Sequence, residues 1–233
     1  MTGSVCDRLR LASEPLWGAL LEHPFVAQLA DGTLPLERFR FYLEQDRLYL
    51  LDFARVIAMA AARTSDEAAL RWFAGVMRQT LDGELAENAR LHELLLAQGA
   101  PDRGGSLELG PAASTYTGFL QGIGFRGSLL ELTVALLPCP WSYAEIGRRH
   151  GALNTDHPIY AGWFAYQSSP EARAFADEMI TIVDARAAGV DAAQFESLAG
   201  IFRTATRHEL AFWDASYALT QWPHPATGSG EPA

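Results

Sequence analysis

The sequence predicts an all-α protein, a single-domain helical bundle, and three features carry that prediction. Apolar residues recur three and four positions apart through long segments, the spacing that lines one face of a helix. Strand-type alternation is scarce, and the connectors are short and marked by Pro, Gly or Asp, so helix follows helix with little chain between. The 233 residues are 49% hydrophobic and 20% charged, the balance of an ordinary soluble globular chain. A chain this long buries roughly 70 to 75% of the surface its unfolded form exposes, enough for a real core.

Each element has its own warrant. Pro35 suits a first helical turn, and Phe39, Tyr42, Leu43, Asp46, Leu50, Phe53 and Ile57 keep helical spacing to about Arg63. A second long helix starts after Ser65, with Asp66 and Glu67 where the helix dipole favours anions, and runs to Gly99 before Pro101. Residues 102–111 form the one clear internal loop, rich in Gly and Pro. Helix returns over 112–122 and again over 128–151. The segments 158–167, 170–188 and 191–219 have the same period, each introduced by Pro or Asp, and Gly189 closes the middle one. No linker or repeat divides the chain, so residues 1–221 read as one domain. Residues 222–233 lack the apolar side chains needed to dock and are expected to fray.

Composition excludes several function classes. No apolar run approaches the ~18 residues of a membrane span, because charges such as Asp52, Arg55 and Glu131 interrupt each candidate. The net charge of −10 opposes binding to nucleic acid or an anionic membrane surface. All 18 basic residues are Arg. Without Lys there is neither a Schiff-base amine nor the Gly-Lys pair of a P-loop. Only Cys6 and Cys139 occur, which is no disulfide framework and suits a reducing compartment. Asp7, Arg8 and Arg10 stand where a signal peptide would be apolar. The expected location is the cytoplasm.

Three constellations could carry chemistry. In Ala135-Leu136-Leu137-Pro138-Cys139-Pro140-Trp141-Ser142-Tyr143, two prolines interrupt a helical pattern. Such a helix must kink or break, at ~3 kcal/mol or more for each interior proline. A cysteine held there can face a pocket, with Tyr143 four residues on as a donor to its thiolate, or it can be a small buried hydrophobe. Asp46 shares a face with Tyr49 amid Tyr42, Leu43, Leu50 and Phe53. It must find a donor, a salt-bridge partner such as an arginine from another helix, or a ligand. Glu209 lies one turn from Phe212, either as a solvated edge carboxylate or as a buried acid/base. Metal-ligand spacing is absent: His208 has Phe212 where a second ligand would fall, and no Glu-x-x-His pair recurs. The chain also has no Gly-x-Ser-x-Gly turn, and Gly122-Ile123-Gly124 follows no strand. No cofactor is expected.

Taken in order along the chain, these residues resemble the TenA/thiaminase II family. The match runs from His23-Pro24-Phe25-Val26 through Asp31-Gly32-Thr33-Leu34, the Phe39 to Arg55 segment and Ser114-Thr115-Tyr116-Thr117. It is most specific at Leu136-Leu137-Pro138-Cys139, Tyr143 and Glu145-Ile146-Gly147, and ends with His157-Pro158-Ile159-Tyr160, Trp163, Glu209 and Phe212-Trp213. The resemblance implies a haem-oxygenase-like fold and the family's cysteine-bearing class. It also implies hydrolysis at the aminomethyl carbon of an aminopyrimidine, thiamin or a salvaged fragment of it, releasing hydroxymethylpyrimidine. Carried over position by position, Cys139 is the nucleophile and Glu209 the acid/base. Asp46 accepts from the pyrimidine amino group, and Tyr49, Tyr116, Tyr143 and Tyr166 line the pocket. A homotetramer is implied as well.

Two departures qualify the resemblance. The family usually has a tyrosine four residues after the tryptophan matching Trp163, where this chain has Gln167 and places Tyr166 one position early. Asn88 replaces a common glutamate four residues before His92, a change expected to act on packing rather than chemistry. The competing readings are an oxidase on the same scaffold and a non-catalytic helical protein that binds a small molecule.

Overall fold

The computed structural model describes residues 3–100, 107–151 and 157–223. Among them every regular element is helical. Three short helices come first, α1 (Val5–Leu11), α2 (Leu16–Leu21) and α3 (Pro24–Asp31), followed by the long α4 (Leu36–Ala61). Next come α5 (Glu67–Arg78), a π-helical turn (Gln79–Glu84), α6 (Leu85–Ala97), α7 (Pro111–Arg126), α8 (Leu129–Leu136) and α9 (Pro138–His150). The chain closes with α10 (Pro158–Gln167), α11 (Pro170–Arg186) and α12 (Ala192–Ala218).

Local chemistry starts the helices where the sequence places them. Reciprocal capping boxes open α1 (Ser4 with Asp7), α8 (Ser128 with Glu131) and α12 (Asp191 with Gln194). Asp66 accepts from the amides of Ala68 and Ala69 at the start of α5, and Pro111, Pro158 and Pro170 stand in first turns where no amide donor is needed. The two longest helices form the frame. α4 packs against α5, α6 and α7, and α12 packs against α2, α7 and α8. Between them lies an aromatic core in which Trp17 stacks on Phe202 and Trp213 on Phe25.

Two expected single helices are interrupted. The stretch read as one helix from 66 to 99 contains the π turn at Gln79–Glu84. One extra residue per turn leaves the apolar spacing on either side intact, so periodicity does not reveal it. The stretch read as 128–151 is interrupted at the single residue Leu137, and α9 begins with Pro138 in its first turn. Leu137 keeps helical torsions (φ −62°, ψ −38°), so the helical path continues through the interruption and the two prolines supply no amide donor within it. Of the expected loop, residues 102–106 lie outside the described residues. So do residues 224–233 of the expected tail, while the Trp222 indole donates to the Leu109 carbonyl at 2.8 Å.

Candidate active site

α4, the π turn, α6, α9, α10 and α11 enclose a cavity of about 790 Å³, counting the part open to solvent. α4 supplies one stripe of its wall, with Tyr42, Asp46, Tyr49 and Phe53 at successive turns. α9 supplies Cys139 and Tyr143 from the turn opened by its prolines, and α10 supplies Trp163, Tyr166 and Gln167. Gly147 lets α9 approach the end of α10, since a Cβ there would fall 2.4 Å from the Gln167 carbonyl. Both Tyr166 and Gln167 therefore border the cavity. The walls are mainly aromatic: Tyr143 stacks on Trp213 at 5.3 Å, and the Trp163 indole donates to the Tyr42 hydroxyl at 3.2 Å.

Glu209 is 3% exposed, which overturns the edge-carboxylate reading. It rises from α12 behind Cys139, and the Tyr116 hydroxyl of α7 donates to its Oε1 at 2.6 Å. Burial pushes its carboxyl up to about 7, against the opposing pull of Tyr116 and the Cys139 thiol. The Cys139 thiol is itself pushed well above its usual value, first by burial and then by the negative charge of Glu209. Thiol and carboxyl thus form a neutral or singly charged pair near pH 7, an arrangement suited to passing one proton between them.

The hydroxyl that favours the Cys139 thiolate belongs to Tyr49 of α4, not to Tyr143 as the spacing along α9 suggested. Tyr143 turns its hydroxyl toward Tyr42. Tyr49 Oη is buried beside the sulfur and the Tyr116 ring, yet it makes no well-formed hydrogen bond within the protein. Tyr116 is not among the residues that border the cavity; its hydroxyl donates to Glu209, which lies behind the wall. Among the described residues Asp46 meets no arginine. It accepts from the Asn88 side chain at 2.9 Å, and Asn88 also donates to the Leu43 carbonyl. The replacement at position 88 therefore reaches a pocket carboxylate directly, where a packing role was expected. Burial pushes the Asp46 carboxyl up to about 7, with Asn88 acting in the opposite direction.

Sequence reasoning missed Glu84. It ends the π turn, borders the cavity, and is pushed up to about 7 by burial and by the nearby charge of Asp46. Its signal in the sequence is weak: an acid one turn before Asn88, at a place where only the extra residue of the π turn settles its direction. Among the described residues no three His, Cys, Asp or Glu side chains converge as metal ligands, and no helix is long and apolar enough to cross a membrane.

Known proteins resemble this chain along most of its length. Residues 11–219 match the TENA/THI-4/PQQC family model. The chain is 36% identical over 215 residues to an aminopyrimidine aminohydrolase of Halalkalibacterium halodurans, covering 90% of this chain and 94% of that one. The solved TenA homologue from P. horikoshii OT3 superposes with a TM-score of 0.80 at 31% identity, over 93% of this chain and 99% of that one. A Shewanella denitrificans domain described as having a heme oxygenase-like fold superposes at 0.66 with 14% identity, over 92% of each chain, a likeness of fold alone. The chain is an all-α protein of that fold and belongs to the TENA/THI-4/PQQC family.

Proposed function

We propose that this protein is an aminopyrimidine aminohydrolase of the thiaminase II type, which cleaves the C–N bond at the aminomethyl carbon and releases hydroxymethylpyrimidine. The observation that carries this reading is the half-buried Cys139 thiol, on an aromatic cavity whose α4 wall presents Asp46, interacting with the buried Glu209 carboxyl. Similarity to the Halalkalibacterium halodurans aminohydrolase along nearly the whole chain supports it.

The chemistry follows from those groups. A flat pyrimidine between the aromatic walls donates its amino group to Asp46 and brings a ring carbon to sulfur. Glu209 takes the thiol proton as the S–C bond forms, and then gives a proton to the ring nitrogen that receives the displaced electron pair. That addition ends the ring's aromaticity. When the nitrogen gives up its proton, the electrons return through the ring and break the C–N bond, and the positively charged nitrogen substituent leaves the neighbouring methylene as a neutral amine. Water adds to the methylene carbon, the C–S bond breaks, and the thiol is regenerated. A carboxyl near 7 can act as base and acid in alternation at neutral pH.

On this reading Tyr49, Tyr143 and Tyr166 orient ring and sulfur, and Tyr116 positions Glu209. The enzyme serves thiamin salvage in the cytoplasm as a homotetramer. Two free thiols suit a reducing compartment, and exposed apolar side chains such as Leu70, Leu81 and Phe125 offer area for subunit contacts. The test is to incubate the protein with thiamin, aminomethylpyrimidine and its formylated form, and to measure hydroxymethylpyrimidine, with Cys139→Ser and Glu209→Gln as controls. Release that both substitutions abolish is the expected outcome, and no release from any of the three substrates overturns the reading.

A further inference from the structure

We propose that Glu84 is the specificity residue for the leaving group, holding the ammonium of an aminomethyl substituent in preference to a neutral substituent at the same carbon. This rests on the aminopyrimidine reading and assigns one carboxylate of the same cavity a task that neither the acid/base pair nor Asp46 performs.

The cavity wall carries Asp46, Glu84 and Glu87, and among the described residues no arginine or histidine borders it. Glu87 is held by Arg90 at 2.6 Å, so its charge is already matched. Asp46 is held by Asn88. No ion pair or hydrogen bond among the described residues engages Glu84, although it lies in the wall of the cavity. The buried Tyr49 hydroxyl, which also has no well-formed partner in the protein, borders the same space. The Glu84 carboxyl is thus left for something that enters the cavity.

The position of Glu84 matches one substituent of the ring. In a thiamin-type pyrimidine the amino group and the substituted methylene occupy adjacent carbons, and the carbon that accepts sulfur is the next one along. With the amino group on Asp46 and the sulfur of Cys139 at its carbon, the leaving group projects between those two side chains. Glu84 is the further unpaired acid that borders the same cavity as both, close enough for its charge to act on the Cys139 thiol and for the charge of Asp46 to act on it. The π turn puts it there. The Tyr166 hydroxyl lies beside this turn, 3.4 Å from where a Cβ on Gly83 would stand. An ammonium at this point replaces its water with a carboxylate in a partly desolvated wall, whereas a hydroxyl or formamide offers no charge to match.

The test uses the full chain with turnover blocked by Cys139→Ser. Titration calorimetry then gives the affinities of 4-amino-5-aminomethyl-2-methylpyrimidine and its hydroxymethyl counterpart. The protein with Glu84 intact is expected to prefer the ammonium ligand. Glu84→Gln is expected to reduce that preference roughly tenfold or more, the effect of losing one charge-assisted hydrogen bond, and Glu84→Asp to retain part of it. The preference is a ratio taken within one variant, so a partly unfolded sample does not distort it. An unchanged preference in Glu84→Gln, or no preference with Glu84 intact, overturns the proposal. If the unaltered protein releases no hydroxymethylpyrimidine while the preference responds to Glu84, the hydrolase reading falls and the assignment of Glu84 as an ammonium site stands.

Discussion

Glu209→Gln keeps the shape of a buried side chain and removes its ability to ionise, and the structure gives the consequence a size. The Glu209 carboxyl is 3% exposed and is pushed from 4.5 to about 7 on folding. At about 1.36 kcal/mol per pH unit, that displacement corresponds to about 3 kcal/mol. Its sign is set by the direction: the folded-state value lies above the unfolded one, so the folded protein binds the extra proton. The contribution is fully present below pH 4.5, is lost as the pH rises toward 7, and is gone above it. The Tyr116 hydroxyl can still donate to the glutamine oxygen, so the variant keeps the local hydrogen bond. Urea unfolding of both proteins at pH 4.5 and pH 8 should show the stability difference moving by about 3 kcal/mol in favour of the variant at the higher pH. The same substitution is expected to lower turnover by about a hundredfold or more, as loss of a general acid/base does. A stability difference that stays level across this range would refute the buried-carboxylate argument even if turnover were lost.

Other groups yield further tests. Because burial and Glu209 hold the Cys139 thiol neutral, its alkylation by iodoacetamide should be slow at pH 7 and quicken as the pH rises; a pyrimidine ligand should protect it, and fast labelling at pH 7 would contradict the packing. Tyr116→Phe removes a donor that favours the Glu209 carboxylate, so the acid limb of the kcat/KM profile should move to higher pH; a limb that moves downward would exclude Glu209 as its source. Asn88→Ala removes the donor from Asp46 and should weaken aminopyrimidine binding by about tenfold, read as a rise in KM, whereas a purely structural asparagine would lower the melting temperature alone. Gly147→Ala forces a Cβ to within 2.4 Å of the Gln167 carbonyl, and overpacking of about 1 to 3 kcal/mol should lower the midpoint by roughly 2 to 12 °C in a thermal melt.

Much of the fold was legible because helix signals are local. Asp66, Ser128, Pro158, Pro170 and Asp191 mark helix starts that the structure repeats within a residue or two. The same holds for the α4 stripe that carries Asp46 and Tyr49 together. The π turn was not legible, since one inserted residue leaves the flanking periodicity unbroken. The interruption at Leu137 could be read only as a kink or a break, because two prolines forbid a regular interior without deciding which remedy is used.

By itself the sequence determined the helical class and the exclusion of lysine-dependent chemistry, and it offered a sulfur, carboxylates and phenols as the candidate reactive set. These depend on residue identity and on spacings of a few positions. Tertiary structure alone decided that Glu209 is buried, that Tyr116 holds it from 93 residues away, and that Tyr49 rather than Tyr143 attends the thiol. It also brought Glu84 and Asn88 to Asp46. The physical reason is that proton affinity and hydrogen-bond partnership depend on which distant segments exclude water from a group. Helical periodicity says which face of a helix is turned inward, but not what it meets there.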